Sequence, residues 1–561
     1  MTIDNFYTHK VKISNDPIMW NNVGVPKSNF YIGMVSQVYR DSAYIQVENL
    51  SLFNHRNIRL ESLIPNSINY FVLIDSVQGL FIAELYQSRV NSSDSVHESM
   101  NQGITENVYP EIAVNVIGIF DENKNKFNLA GLKTVGIADK VYIANEKLIS
   151  IYLHSIELND YQIKDKQGHT ISHQKPLENM MKLDSPEGQY LSLQPNTLFD
   201  RHLMVIGTTN SGKSTSSLKI LEKLISAKKK VLILDPTGEY QESFDNSEIE
   251  KKTLGIDIFL KTSDVDDQFW IDFFNVASAE DSNKASVLSD AIASLRYQKY
   301  KGTEHTLVKE RCEVNSLLSE INSVSSKTFD LNLLPEQIRN EAVKQVQESG
   351  KYIFKRDGNL FNASLWLIQK VTYFLKSSLI NQFFYNRDSN LFEKLKIFTD
   401  DKNSDSLYLN LSEISRTDTA GNTIVDLISK FIMNSKNNND PALVLFIDEA
   451  HRYIHRYAEE NGLISIAREG RKKGVFLFLT TQNPKDIPEI LLGQIGTIVI
   501  HHLTHSAEIG AIQNYLNPNT VSQIAKLNQG EAILTSINLI QDVRVYFEKS
   551  DRPHDNHTPL L

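Results

Sequence analysis

The sequence predicts an α/β protein: a parallel-sheet core carrying a helical insertion, preceded by a small N-terminal β-barrel. Three observations carry this expectation. Short apolar runs separated by turn residues fill the first part of the chain, the pattern of a barrel or sandwich. From Arg201 onward strands alternate with helices, the pattern of a parallel sheet with crossovers. Within that region Leu443 to Ile447 is a continuous apolar run, as expected of a strand buried on both faces.

In the first region Tyr31 to Val38, Ser42 to Val47, Tyr70 to Asp75 and Leu80 to Glu84 read as strands, continued by Val114 to Phe120 and Lys140 to Ala144. Asn91 to Gly103, rich in Ser, Asn and charge, reads as a flexible loop between them. The barrel is assigned to residues 1–180 and the core to 181–561, with a C-terminal tail at about 549–561. Core strands are expected at His202 to Ile206, Val231 to Asp235, Tyr408 to Leu411, Leu443 to Ile447, Phe476 to Leu479 and Thr497 to Ile500. Between about 262 and 400 the periodicity is mostly helical, notably at Ser286 to Tyr300 and Ala363 to Leu379. That span is too long for one crossover, so it reads as an insertion. Asn434 to Pro441 is a polar loop feeding the acidic strand.

At 561 residues the chain is long enough for three or four domains of about 150 residues each. A hydrophobic content of 41% and a charged content of 22% place it with ordinary globular proteins. One cysteine, Cys312, excludes an intramolecular disulfide framework and suits a reducing compartment. Met1 to Lys10 has no signal-peptide core, and no apolar run approaches the roughly 20 residues of a membrane helix. A cytoplasmic location without a membrane anchor is therefore expected. A net charge of −10 argues against a surface coated with cations for nucleic acid, while leaving DNA in a confined channel possible.

The most informative segment is Gly207-Thr208-Thr209-Asn210-Ser211-Gly212-Lys213-Ser214, between an apolar strand and the helical stretch beginning at Thr215. This is the pattern of a phosphate-binding P-loop: glycines let the backbone fold into a nest of N–H groups, Lys213 reaches the β- and γ-phosphates of ATP, and Ser214 is placed to hold Mg²⁺. The helix then aims its positive end at the same phosphates. A second acidic strand is needed to manage metal and water, and Leu443 to Ile447 ends in Asp448-Glu449-Ala450-His451. Asp448 is expected to support the Mg²⁺ shell and Glu449 to polarise the attacking water. Gln482 follows another core strand and is placed either to sense the γ-phosphate or to serve as a satisfied polar strand end.

Arg468 and Arg471 lie three apart just before a core strand. Either they complement a helix C-terminus stopped by Gly474, or one reaches a neighbouring subunit's site to stabilise transition-state charge. Arg296 to Lys301 and Lys351 to Arg356 mix cations with aromatics, which suits either solvated helix ends or a track for a phosphate backbone. His501, His502 and His505 lack a cysteine or paired carboxylate at ligand spacing, and His451 and His455 lack the glutamate of a zinc-protease helix, so none reads as a metal site.

Together these residues resemble the HerA family of hexameric DNA-translocating ATPases, relatives of the FtsK pumps. The matching positions are Gly207 to Thr215, the box Asp235 to Tyr240, Leu409 to Ser412, Asp448 to His451, and Arg468 to Lys473 with Gln482. The N-terminal β-region stands where the family has its small barrel. The resemblance implies a P-loop core of RecA-like type, with Lys213, Ser214, Asp448 and Glu449 carrying hydrolysis, Arg471 or Arg468 acting in trans, and Arg201 as a further nucleotide contact. It further implies a hexameric ring around double-stranded DNA, and a separate nuclease or other effector docking on the barrel, in DNA processing or anti-phage defence. The alternative is a nucleotide-switched scaffold that activates an effector without productive DNA pumping. Three departures stand out: Asn210 where the family usually has Gly, Thr237 for a usual His, and Asn483 for a usual Arg.

Overall fold

The computed structural model describes residues 29–554, apart from 54–55, 59–60, 64–69, 91–93, 105, 107, 165–168, 184–188, 277–280, 377–382, 385–388, 401–404, 414–417, 438–439 and 455–459. The expectations for Met1 to Lys10 and His455 lie outside the described residues. The chain forms two compact units, one of Met1–Lys223 with Ile495–Ser550, the other of Leu224–Gln494 with Asp551–Leu561.

The barrel strands are β1 (Tyr31–Val38), β2 (Ser42–Val47), β3 (Phe71–Ser76), β4 (Gly79–Val90), β5 (Pro110–Asp121), β6 (Lys126–Asn128) and β7 (Lys140–Ile143). They pair antiparallel in the order β2-β1-β7-β3-β4-β5-β6, and β2 also pairs with β5, closing a six-stranded barrel with β6 appended. Ile32, Ala43, Ile45, Val47, Val72, Ile82 and Val114 are wholly buried; β2 alternates buried with more exposed positions, whereas Phe71 to Ile74 and Phe81 to Ala83 are continuous buried runs. The stretch Asn91 to Gly103, expected as a loop, contains a short helix at Asp94–Asn101.

The remaining strands used below are β8 (Leu177–Leu183), β9 (Tyr190–Leu193), β10 (His202–Ile206), β11 (Lys230–Asp235), β12 (Ile249–Thr253), β13 (Val343–Glu348), β14 (Lys351–Arg356), β15 (Ser406–Asn410), β16 (Leu443–Ile447), β17 (Val475–Thr481), β18 (Ile495–Ile500), β19 (Glu531–Ser536) and β20 (Val543–Tyr546). In the first unit the order is β9-β8-β20-β19-β18-β10, with β10 and β18 parallel and the other pairings antiparallel. In the second unit β17-β16-β11-β15-β12 are all parallel. Their continuous apolar runs explain the burial of every residue in β11, β15 and β16.

The insertion departs from expectation in one place. Helices occupy Asp267–Phe273, Ser282–Tyr300, Val314–Asn322, Leu334–Asn340, Gly358–Lys376 and Leu391–Asp400, but β13 and β14 form an antiparallel hairpin among them. Ser349 (φ 51°) and Gly350 (φ 82°) make its two-residue turn, the geometry that matches strand twist. Phe354 anchors the hairpin in a cluster with Tyr297, Leu307, Val314, Leu317 and Ile321. Lys351 to Arg356 is thus a strand, not a helix end.

Candidate nucleotide site

The phosphate loop leaves β10, whose five residues are all buried, and enters the helix Lys213–Ser226. Its path demands small or left-handed residues at three points. A Cβ on Gly207 would lie 2.4 Å from Ser211 Oγ and 2.7 Å from His501 Cβ. Gly212 has φ +112°, and a Cβ there would lie 2.8 Å from the backbone nitrogen of Gly530. Asn210 has φ 62°. Asparagine is among the non-glycine residues most at ease in that region, so the departure from Gly keeps the backbone conformation.

Hydrogen bonds hold the loop from within and from behind. Ser211 donates to the Thr208 carbonyl through both its N–H (3.2 Å) and its hydroxyl (2.7 Å). Thr208 donates to the His502 carbonyl through its N–H (3.2 Å) and hydroxyl (3.1 Å). Gly530 N–H donates to Ser211 O at 3.0 Å. Thr209 and Asn210 are exposed at the crest, Ser214 and Thr215 are half-buried at the helix start, and Lys213 is buried. Arg201 is exposed one residue before β10, with its stem over Gly496.

In the second unit, β16 ends in Asp448 and Glu449, both buried. Glu449 has left-handed backbone angles (φ 48°, ψ 50°), a strained state for a long side chain of the kind that collects at functional sites. Thr480, near the end of β17, binds both residues: its hydroxyl donates to Asp448 Oδ1 and accepts the Glu449 N–H at 3.0 Å. Gln482 Nε2 donates to Glu449 Oε1 at 2.6 Å, and His451 Nδ1 lies 3.3 Å from Glu449 Oε2. Gln482 therefore belongs to the carboxylate's immediate shell. Thr480 and His451 extend it, and sequence reasoning assigned neither a role. A hydroxyl two residues before Gln482, near the end of the strand that Gln482 follows, was the available signal.

Asp235 is occupied otherwise. It is wholly buried and accepts from Thr237 N (3.0 Å) and Oγ1 (2.9 Å), Gly238 N (2.8 Å), Tyr240 N (2.9 Å) and Tyr408 OH (2.9 Å). It ties the box Asp235 to Tyr240 into a turn, in which Gly238 has φ +80°. Thr237, the departure from histidine, serves that turn. Residues 551–554 of the expected tail belong to the same unit: Arg552 forks onto Glu248 at 2.7 and 2.6 Å, and the His554 ring meets Tyr240 edge-on at 4.8 Å.

Arg468 and Arg471 are exposed on the helix Gly462–Lys473, which Asn461 caps through Ile464 N (2.8 Å) and Gly474 ends at φ 71°. Lys473 turns inward to the Met433 carbonyl at 2.6 Å, so the two arginines carry the outward charge of this helix with Lys472. The Arg296 to Lys301 segment is committed to local structure: Arg296 pairs with Asp267 (2.7 Å), Lys301 with Glu320 (2.8 Å), and Tyr297 is buried. On the hairpin Lys351 pairs with Glu313 at 3.0 Å and Lys344 with Asp357 at 3.2 Å. Among the described residues no His, Cys, Asp and Glu group has metal-binding geometry, and no helix is long and apolar enough to cross a membrane.

A glycine-bounded loop opening a helix from a buried strand, together with a parallel sheet ending in a braced Asp-Glu pair, defines a P-loop nucleoside triphosphatase fold. Comparison with known proteins specifies it further. Residues 182–432 match the model of the helicase HerA central domain and residues 330–539 that of the HerA-like C-terminal domain. The chain belongs to the HerA-type ATPases.

A probable helicase of Methanocaldococcus jannaschii, MJ1565, is 24% identical over 359 residues, which span 61% of each chain. The probable DNA double-strand break repair helicase HerA of the same organism is 23% identical over 504 residues, 80% of this chain and 88% of that one. Among solved structures, VirB4 of Thermoanaerobacter pseudethanolicus superposes with a TM-score of 0.47 at 14% identity, covering 66% of this chain and 96% of that one.

Proposed function

We propose that this protein is a Mg²⁺-dependent ATPase that assembles into a ring and couples hydrolysis to movement along double-stranded DNA, in concert with a separate nuclease or other effector docked on its N-terminal barrel. The observation that carries this reading is the buried, left-handed Glu449 held by Thr480 and Gln482, in a chain that also carries the Gly207 to Thr215 loop. Membership of a family whose relatives are named DNA repair helicases points to DNA as the track. DNA processing and anti-phage defence are the two cellular settings that suit such a pair.

In this reading Lys213 and the loop N–H groups neutralise the β- and γ-phosphates, and Arg201 adds a further contact. The oxygen donors of Ser214 and Asp448 suit a hard divalent cation, which supplies charge neutralisation on the phosphates when bound. Glu449 orients a water and takes its proton as the water oxygen bonds to the γ-phosphorus; the bond from that phosphorus to the bridging oxygen breaks, releasing ADP. Gln482 fixes the carboxylate that does this. Arg471 or Arg468, exposed in the single chain, reaches the neighbouring subunit's phosphates.

ATP turnover with and without linear double-stranded DNA, read beside mass photometry of the same sample, tests the proposal. A ring whose turnover rises several-fold with DNA supports it. A ring whose turnover ignores DNA contradicts translocation and favours a nucleotide-switched scaffold.

A further inference from the structure

One of the histidines after β18 occupies a commanding position. His501 is wholly buried at the carboxyl end of β18, directly beneath the phosphate loop. Its Cβ lies 2.7 Å from where a Gly207 Cβ would stand, and its Cε1 3.3 Å from the corresponding position on Gly212, so the imidazole is the floor that both glycines pass over. Its two nitrogens reach in opposite directions. Nε2 lies 2.8 Å from the hydroxyl of Ser216 in the first turn of the phosphate helix, and Nδ1 lies 2.8 Å from the carbonyl of Glu531, the first residue of β19.

The chemistry fixes the proton. A carbonyl oxygen can only accept, so Nδ1 carries the hydrogen. Burial, with the Lys213 ammonium nearby, pushes the imidazole down to about 4, so it is neutral near pH 7 and Nε2 accepts from Ser216, whose single hydroxyl proton is shared with the Lys213 carbonyl at 2.9 Å. Beside this bridge runs a second: Gly530, the residue preceding Glu531, donates its N–H to Ser211 O at 3.0 Å and accepts from Phe547 N at 2.9 Å. A Cβ on Gly212 would lie 2.8 Å from Gly530 N, so the two backbones are in close approach, and a Cβ on Gly530 would itself lie 2.9 Å from the Tyr546 ring.

We propose that His501 is a positioning residue that clamps the phosphate loop to the C-terminal hairpin β19–β20, making the hairpin a part of the nucleotide site that orders when phosphate is bound. The inference rests on the ATP-binding reading above. Arrangement of the loop N–H groups depends on Gly207 and Gly212 keeping their path, and His501 with Gly530 supports both from below. Phosphate drawn onto the loop stiffens the loop, and the two bridges pass that stiffening to residues 530–547.

The test combines nucleotide binding with hydrogen exchange on the full-length protein, using a fluorescent ATP analogue. His501→Phe keeps an aromatic of similar size and removes both hydrogen bonds. It is expected to weaken analogue binding about tenfold, in line with the loss of a buried hydrogen-bonded link, while turnover at saturating ATP changes less than about threefold. His501→Gln, which keeps an acceptor toward Ser216, recovers part of the affinity. In the wild type, nucleotide slows exchange across 530–547, and in His501→Phe that protection is lost although nucleotide is bound.

If His501→Phe does not fold, Ser216→Ala removes the same link from the helix side and must show the same two effects. Wild-type affinity together with wild-type protection in either folded variant overturns the inference. Failure of the unmodified protein to bind the analogue instead overturns the ATP-binding reading, so the two are distinguished.

Discussion

The phosphate loop and the acidic strand end, to which the proposed function gives one task, are built by different means. The loop is made of backbone: three positions at Gly207, Asn210 and Gly212 whose conformation or crowding selects the residue, and amides whose direction follows from that path. The acidic end is made of side chains: Thr480 on one strand and Gln482 just past its end hold Asp448 and Glu449 just past the end of another, with Glu449 forced into a left-handed state. Backbone conformation is written locally in the sequence, whereas a side-chain brace depends on which distant strands become neighbours. Binding should therefore fail when the loop is altered, and chemistry when the brace is altered.

The largest expected effect on binding comes from Gly212→Ala. The new Cβ would meet Gly530 N at 2.8 Å with φ at +112°, so the loop must shift and nucleotide binding falls at least about 100-fold, measured by titration of a fluorescent ATP analogue. Retained affinity would remove the claim that the loop is a backbone device.

Thr480→Val sharpens the other side. It removes the donor to Asp448 and the acceptor for the Glu449 amide, leaving buried polar groups unmatched at a cost of about 1–3 kcal/mol. If that cost falls on the transition state, kcat drops about 10- to 100-fold while ATP affinity stays within about threefold. Thr480→Ser, which keeps the hydroxyl, should restore most of the rate. Loss of binding instead of rate would show that the brace and the loop are not separate devices.

A smaller effect concerns a second side-chain network, in the first unit. Glu84 of β4 is held by Gln541 Nε2 at 3.0 Å, which also donates to Tyr152 OH at 2.9 Å, and burial raises its carboxyl from 4.5 to about 7, with the Asp542 charge adding to the rise. Because the folded carboxyl keeps its proton at pH values where the unfolded one releases it, stability is greatest below about 4.5 from this group's standpoint. It declines as pH rises toward about 7, by on the order of 3 kcal/mol in full. Glu84→Gln should flatten that part of the Tm profile between pH 5 and 8 (roughly the window of this titration) and leave ATP turnover unchanged. An unaltered profile would place the titration elsewhere.

The same division explains what could be read in advance. The barrel strands, the buried parallel strands, the phosphate loop and the acidic pair were legible because each is a local pattern of apolar period, glycine or charge. The hairpin Val343–Glu348 and Lys351–Arg356 carried one local sign, the Ser349-Gly350 turn, but neither strand has apolar alternation and helical periodicity on both sides obscured it. Thr480, His451 and His501 were not legible as site residues. Ser216 and His501 are 285 positions apart, and only the folded sheet brings them to 2.8 Å. His501 nonetheless shared one sign with Asp448: a polar residue ending a strand whose every other residue is buried and mostly apolar.

The most direct test of the account is to measure ATP affinity and single-turnover hydrolysis side by side in Glu449→Gln. The substitution keeps shape and a hydrogen bond to Gln482 while removing the group proposed to take the proton. The account predicts affinity within about threefold of the unaltered protein and hydrolysis slower by about 10²- to 10⁴-fold. Hydrolysis at the original rate would contradict it, since the braced carboxylate would then have no part in the chemistry.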